Sequence, residues 1–273
     1  MDHLPESDVI SVELSDYVAT VWLDRSDALN AMAPAFWTEF PAIIEALGED
    51  DAVRVIMVAA KGSAFTAGID IKAFAPMLAG TTADVATRRQ LYLKIKEMQH
   101  TFSALAACPK PVIAAIHGYC IGGGVDLITA CDIRLATADA VFSVRETKIG
   151  MVADVGTMQR LPRILDPGRV AELVYTGKDF PASEALEMGL VSHVYPDVES
   201  LHKEAMAMAL EIAANSPLAV QGSKAVLRAG ETMSTADALD YMAVWNSSFL
   251  TSSDLREAMM AMMEKRQPKF DGT

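Results

Sequence analysis

Three cysteines in 273 residues are too few, and too irregularly placed, for a disulfide framework or a thiolate metal site. Cys108, Cys120 and Cys131 read instead as buried thiols in a reducing compartment. Cations are scarce as well: Lys and Arg number 23 against 36 Asp and Glu, a formal net charge of −13. An acidic surface repels phosphate backbones, which argues against a nucleic-acid partner and requires any anionic ligand to be met locally. No apolar run reaches the ~18 residues of a membrane-spanning helix. The first residues, Met-Asp-His-Leu-Pro-Glu, lack the apolar stretch of a secretory signal. The last four, Phe270-Asp271-Gly272-Thr273, are not a peroxisomal address. The expectation is a soluble, cytoplasmic protein with neither nucleic acid nor membrane among its partners.

Several catalytic kits are also missing. The five histidines are scattered without metal spacing. Gly122-Gly123-Gly124 lacks the Gly-Lys-Ser/Thr ending of a nucleotide loop and the spacing of a dinucleotide fingerprint. Ser63 and Ser143 have no nucleophile-elbow context, so a Ser–His–Asp hydrolase is disfavoured.

What remains is an ordinary globular composition, 51% hydrophobic with 16 Gly and 12 Pro, long enough for one large domain or two modest ones. Alternating stretches at 9–14 and 17–23 predict a β-hairpin. A helix over 34–47 contains Pro41, a candidate kink. Near-continuous apolar runs at 53–60 and 112–117 predict buried strands, separated by a loop at 61–72 and a helix over 83–107. The glycine run leads into a helix over 125–130, followed by short strands at 133–136 and 141–143. Strands alternating with helices predict an α/β core over residues 1–197. Beyond it, 198–273 reads as helical, with Leu239, Met242, Trp245, Phe249, Leu255, Met259, Met262 and Met263 at helical spacing. Those apolar residues fit packing on the protein's own core and a subunit interface equally well.

Three features carry chemistry. Residues 64–71 form a Gly-containing loop after a buried strand, and Gly122 to Gly124 open a helix. A helix start leaves amides unpaired, and glycine lets a ligand approach the backbone, so two such amides fit a developing oxyanion; close helix–strand packing fits the same glycines. The third feature is a set of acids in apolar surroundings, Asp126, Glu146 and Asp154. Asp154, just before Val155-Gly156-Thr157, fits a helix cap or a desolvated carboxyl with a pKa raised for acid–base work.

Taken in order, these segments resemble the crotonase (enoyl-CoA hydratase/isomerase) family. The resemblance runs from Leu23-Asp24-Arg25 and Ala28-Leu29-Asn30-Ala31 through residues 65–71, 109–118 and 130–134, to Glu187-Met188-Gly189-Leu190-Val191 and Met263-Glu264-Lys265-Arg266. It implies a spiral of β-β-α turns with C-terminal helices that build a homotrimer or a hexamer. It also implies an acyl-CoA thioester substrate and no separate cofactor. The oxyanion amides would be those of Ile69 and Gly123. Arg25, Ala28, Ala67, Gly68, Asp70, Ile71, Lys72 and Lys265 occupy segments that line the substrate or its CoA in relatives.

Within the family the acids select the reaction. The triplet Asp126/Glu146/Asp154 and the text around it resemble the dienoyl-CoA isomerase branch. That implies moving two double bonds into conjugation, with Glu146 serving C2, Asp154 serving C6 and Asp126 in support. The alternatives are an enoyl-CoA hydratase or a Δ3,Δ2-enoyl-CoA isomerase built on Glu146 and Asp126, and a non-catalytic acyl-CoA binder of the same fold.

Overall fold

The computed structural model describes residues 4–78 and 84–273, with the side chains of 76–78 left aside. The predicted hairpin is present as β1 (Ile10–Ser15) and β2 (Val18–Leu23), joined through Asp16 and Tyr17, both at positive φ. This pairing of left-handed residues matches the twist of a two-residue hairpin turn. Next come α1 (Phe36–Glu49), β3 (Val55–Ala60), α2 (Ile71–Leu78) and α3 (Val85–Ala107), the last covering the predicted helix except Asp84, its N-cap, and Ala83, which lies outside the described residues. The middle of the chain holds β4 (Val112–Ile116), β5 (Tyr119–Ile121), α4 (Gly123–Thr129), β6 (Ile133–Thr137), β7 (Val141–Ser143) and α5 (Thr157–Arg160). Then follow α6 (Pro167–Thr176), β8 (Phe180–Pro181), α7 (Ala182–Met188) and β9 (His193–Tyr195). Four helices close the chain: α8 (Val198–Ala213), α9 (Pro217–Gly230), α10 (Thr235–Phe249) and α11 (Ser253–Glu264).

α2 and β5 are among the elements that depart from the sequence expectation. α2 begins inside the predicted loop because the Asp70 carboxylate accepts the Ala73 amide at 3.1 Å and starts a turn. β5 precedes the glycine run as a strand of three residues, too short to show a period.

The strands form two sheets, one of six in the order β1-β2-β3-β4-β6-β9 and one of three in the order β5-β7-β8. Apart from the β1 edge, every pairing in the larger sheet is parallel. The chain visits both sheets in turn: β4, β5 and α4 make one circuit, and β6, β7 and α5 make the next. An earlier circuit runs through β3 and a single bridge, Thr66 to Cys120, into α2. This is the expected spiral of β-β-α turns. It brings residues 66–69, 119–123 and 143–146 side by side at one end of successive circuits.

The core occupies both faces of the large sheet. On one, α1 buries Phe36, Trp37, Phe40, Ile43, Ile44 and Leu47. Pro41 denies the Trp37 carbonyl its helical donor, and the Thr101 hydroxyl of α3 donates there instead at 3.1 Å. On the other face, Leu201, Ala205, Ala209 and Ala213 form the stripe by which α8 packs on the sheet. α9 is tied in through buried Lys224, whose Nζ donates to Asp132 at 2.7 Å and to the Lys110 carbonyl at 2.8 Å. The C-terminal helices leave much apolar surface uncovered: α10 has no buried residue, and Leu239, Val244, Met259, Met262 and Met263 are all more than half exposed.

Candidate active site

The site forms where the 66–69 loop meets the start of α4. Thr66 fixes the loop: its amide donates to the Tyr119 carbonyl at 2.8 Å, and its hydroxyl donates to the Asn30 carbonyl at 2.7 Å. The same hydroxyl oxygen accepts the Gly68 amide at 3.0 Å. Gly68 then takes φ +86, and the Met32 amide holds its carbonyl at 2.8 Å. On the other side Gly122, at φ +53, donates to the Ser143 carbonyl at 2.8 Å and turns the chain from β5 into α4.

The amides of Ile69 and Gly123 consequently meet. A Cβ placed on Gly123 would lie 3.8 Å from the Ile69 nitrogen, and one on Gly68 would lie 3.4 Å from the Gly123 nitrogen. Neither amide donates to a backbone carbonyl among the described residues. The packing reading of the glycine run holds for its neighbour: a Cβ on Gly124 would strike the Thr66 methyl at 2.6 Å. Gly123 opens the site, and Gly124 lets α4 lie against the loop.

The three acids arrive from three elements. Asp126 is in the first turn of α4 and fully buried; one oxygen accepts the Thr157 amide at 2.5 Å, and the other has no partner among the described residues. Glu146 opens a 3-10 turn after β7, with Oε1 3.3 Å from where a Gly122 Cβ would sit and Oε2 without a partner among the described residues. Asp154 is half-buried, and its carbonyl accepts the Gln99 side-chain amide at 2.7 Å. The alternative that Asp154 caps the following helix fails: Gly156 is the N-cap of α5, and the Thr157 amide is taken by Asp126 from α4.

Burial drives all three carboxyls upward. Desolvation, then the Glu146 charge, raises Asp126 to about 7 despite the Thr157 hydrogen bonds that oppose the shift. Desolvation raises Glu146, and Asp154 adds to it. Desolvation raises Asp154 as well. The charges are thus linked in series, Asp126 to Glu146 to Asp154, and titrate as a set. A carboxyl pool displaced toward neutrality can both accept and donate a proton near pH 7.

Asp126 also makes the site costly to fold. Between its ordinary value of 3.8 and about 7, the folded protein holds a proton that the unfolded chain releases, so stability falls as pH rises through that window. Asp126→Asn keeps an acceptor for Thr157 and removes the ionisation. We expect it to raise Tm more at about pH 8 than at about pH 5, with a gain on the order of a few kcal/mol at the higher pH. Calorimetry at the two pH values checks this; an equal gain at both contradicts it.

The residues expected to line the substrate divide. Arg25 and Asp70 spend themselves on each other in a 2.7 Å ion pair, with Arg25 also donating to the Ala31 carbonyl at 3.0 Å. The pair braces the loop that carries Ile69 and holds the Asp70 carboxyl low, chiefly through the Arg25 hydrogen bond. Ala28 and Ala67 flank a backbone bond from the Ala67 amide to the Leu29 carbonyl, 2.9 Å. Ala67, Ile71 and Lys72 are exposed beside the opening. Lys265 ends α11 in the left-handed region and bonds to no residue of the site.

Asn30 is the residue the sequence did not single out. It is buried at φ +52; its Oδ1 accepts the Arg25 amide, and its Nδ2 donates to the carbonyls of Lys61 and Ala64, each at 2.8 Å. An asparagine in a left-handed turn was the available signal.

The profile of the Enoyl-CoA hydratase/isomerase family matches residues 13–273. The chain belongs to this family. Among its relatives, the mouse mitochondrial protein named Delta(3,5)-Delta(2,4)-dienoyl-CoA isomerase is 43% identical over 98% of this chain and 83% of its own. The Arabidopsis thaliana peroxisomal protein of the same name is 42% identical over 99% and 98%. The crystal structure of an enoyl-CoA hydratase from Bacillus anthracis superposes with a TM-score of 0.89, at 32% identity, covering 97% of this chain and all of that one. The spiral is the enoyl-CoA hydratase/isomerase fold. Among the described residues, no helix is long and apolar enough to cross a membrane.

Proposed function

We propose that this enoyl-CoA hydratase/isomerase family member converts 3,5-dienoyl-CoA to the conjugated 2,4-dienoyl-CoA. The observation that carries the reading is the third acid: Asp154, not used as a helix cap, acts electrostatically on Glu146, which in turn acts on Asp126 and lies beside Gly122. The relatives named as dienoyl-CoA isomerases at 42–43% identity support it.

The chemistry follows from charge and reach. Ionised Glu146 removes a proton from C2, and the electron pair moves onto the thioester oxygen. The amides of Ile69 and Gly123 hold the resulting dienolate without reorganising. Neutral Asp154 then protonates C6 as the double bonds move into conjugation. Each turnover leaves Glu146 protonated and Asp154 ionised, and proton exchange resets them. C2 and C6 are too far apart for one carboxyl, which is why two serve. Asp126 biases the pair by its charge, which keeps the acids' pKa values apart. No cofactor enters: coenzyme A belongs to the substrate.

The uncovered apolar face of α10 and α11 supports assembly as a homotrimer, or a hexamer of paired trimers, with Lys265 and Lys72 available to CoA phosphates there. Three buried free thiols fit a reducing compartment, which we take to be the cytoplasm.

The functional test is spectrophotometric. Purified protein given a 3,5-dienoyl-CoA is expected to generate the absorbance of the conjugated dienoyl thioester, with little hydration of a 2-enoyl-CoA. Loss of enoyl absorbance without dienoyl conversion makes the protein a hydratase.

A further inference from the structure

α5 is a single turn, yet its last residue makes contacts out of proportion to its length. Arg160 folds back along its own turn onto Gly156. A Cβ on Gly156 would lie 1.8 Å from Arg160 Nη1 and 2.9 Å from its Cζ, so only glycine leaves a seat for the guanidinium. From there Arg160 donates to the Val155 carbonyl at 3.4 Å and to the Ser103 hydroxyl at 3.3 Å. Ser103 stands one turn beyond Gln99 on α3, and Gln99 already holds the Asp154 carbonyl at 2.7 Å. Two consecutive turns of α3 thereby grip the 154–156 segment, one directly and one through Arg160. Arg160 and Asp154 line the same cavity of about 410 Å³, together with Gln99 and Ser103.

We infer that Arg160 is a positioning residue for the acid triad: seated on Gly156, its guanidinium fastens the Asp154 segment to α3 and sets a positive charge against Asp126. The kinetic part of this inference rests on the proposed isomerase reading; the placement of the charge does not.

The groups around the pair are few. Asp126 is faced by Glu146 from the 3-10 turn, by Thr157 and Arg160 from α5, and by the Cys120 thiol from β5, which burial keeps protonated. Of the two charged neighbours, Glu146 raises Asp126 and Arg160 lowers it. Arg160 itself is faced by Asp126, Cys131, Arg163 and Arg228. Arg163 is already paired with Glu231, so the carboxylate that favours a charged Arg160 is Asp126.

The sign follows. Removing the cation raises the proton affinity of Asp126 and of the set as a whole. Infrared titration of the protonated-carboxyl band, with Asp126→Asn as the subtraction that identifies Asp126, reads this without substrate. Its midpoint, about 7 in the native protein, is expected to rise by a few tenths of a pH unit in Arg160→Gln, since Arg160 is the weakest of the groups that act on Asp126. kcat for the dienoyl substrate is expected to fall about tenfold with KM within about twofold, the pattern of a misplaced acid rather than lost binding.

Arg160→Lys restores the charge without the planar fork, so it should return the infrared midpoint while recovering kcat only in part. Where Arg160→Gln does not fold, Gly156→Ala displaces the guanidinium and is expected to move the midpoint in the same direction. An unchanged Asp126 midpoint in folded Arg160→Gln overturns the inference. A native protein that isomerises no dienoyl-CoA overturns the functional reading instead, and the infrared result still decides where the Arg160 charge acts.

Discussion

Asp154→Asn is expected to lower turnover of a 3,5-dienoyl-CoA by about a thousandfold while leaving KM within a small factor, the loss typical of removing a placed general acid. Asparagine keeps the shape of the side chain and the Gln99 bond to its carbonyl, but has no proton to deliver to C6. Glu146 and the two amides are untouched, so the C2 proton of bound substrate should still exchange with deuterium from solvent. Glu146→Gln is expected to abolish both exchange and turnover. This contrast assigns the ends of the acyl chain, because each variant fails at a different proton. A hydratase using Glu146 with Asp126 would feel Asp154→Asn only mildly, so retention of more than about a tenth of the turnover contradicts the three-acid mechanism.

The second large effect concerns backbone rather than acid. Gly68→Ala is expected to cost about two to three orders of magnitude in kcat, the scale set by loss of an oxyanion donor. Gly68 has φ +86, and an added Cβ would lie 2.6 Å from the Ile121 carbonyl oxygen and 3.4 Å from the Gly123 nitrogen. Both are main-chain atoms of the opposite wall, so the collision pushes the two amides apart. Gly123→Ala provides the comparison. Its Cβ would meet Met32 Sδ at 2.9 Å, on a flexible side chain that can turn aside, and a helical residue there needs no special φ. That variant should keep activity within about tenfold of native. Equal losses in the two, measured on folded protein of native oligomeric state, would contradict the geometry given for the hole.

The parts of the molecule visible in the sequence were those written in local pattern. The hairpin carries an alternation and the runs that became β3 and β4 a near-continuous apolar character, and both, like the long α3, fall close to their expected spans. β5 does not, because three residues show no alternation and its pairing with β7 is decided more than twenty residues away. The acids were legible by their setting, since a carboxylate amid Val, Met and Ala must be explained. Which one caps α5 was not, because the donor Thr157 and the acceptor Asp126 are 31 residues apart and only the spiral joins them. For the same reason the ion pair between Arg25 and Asp70, 45 residues apart, is not legible in the sequence. Asn30 is not legible in the sequence, because a single polar residue in a short turn looks ordinary and its three bonds reach residues set by the fold. The apolar face of α10 was visible as excess hydrophobicity, and the fold leaves it uncovered within the chain.

The central claim is a proton taken from C2 and another given at C6. The most direct measurement is to run the reaction on a 3,5-dienoyl-CoA in deuterium oxide and locate the label in the product by NMR. The expected product is a 2,4-dienoyl-CoA with deuterium at C6. A product that has gained the elements of water, or one labelled at C4 with C6 unchanged, would contradict it.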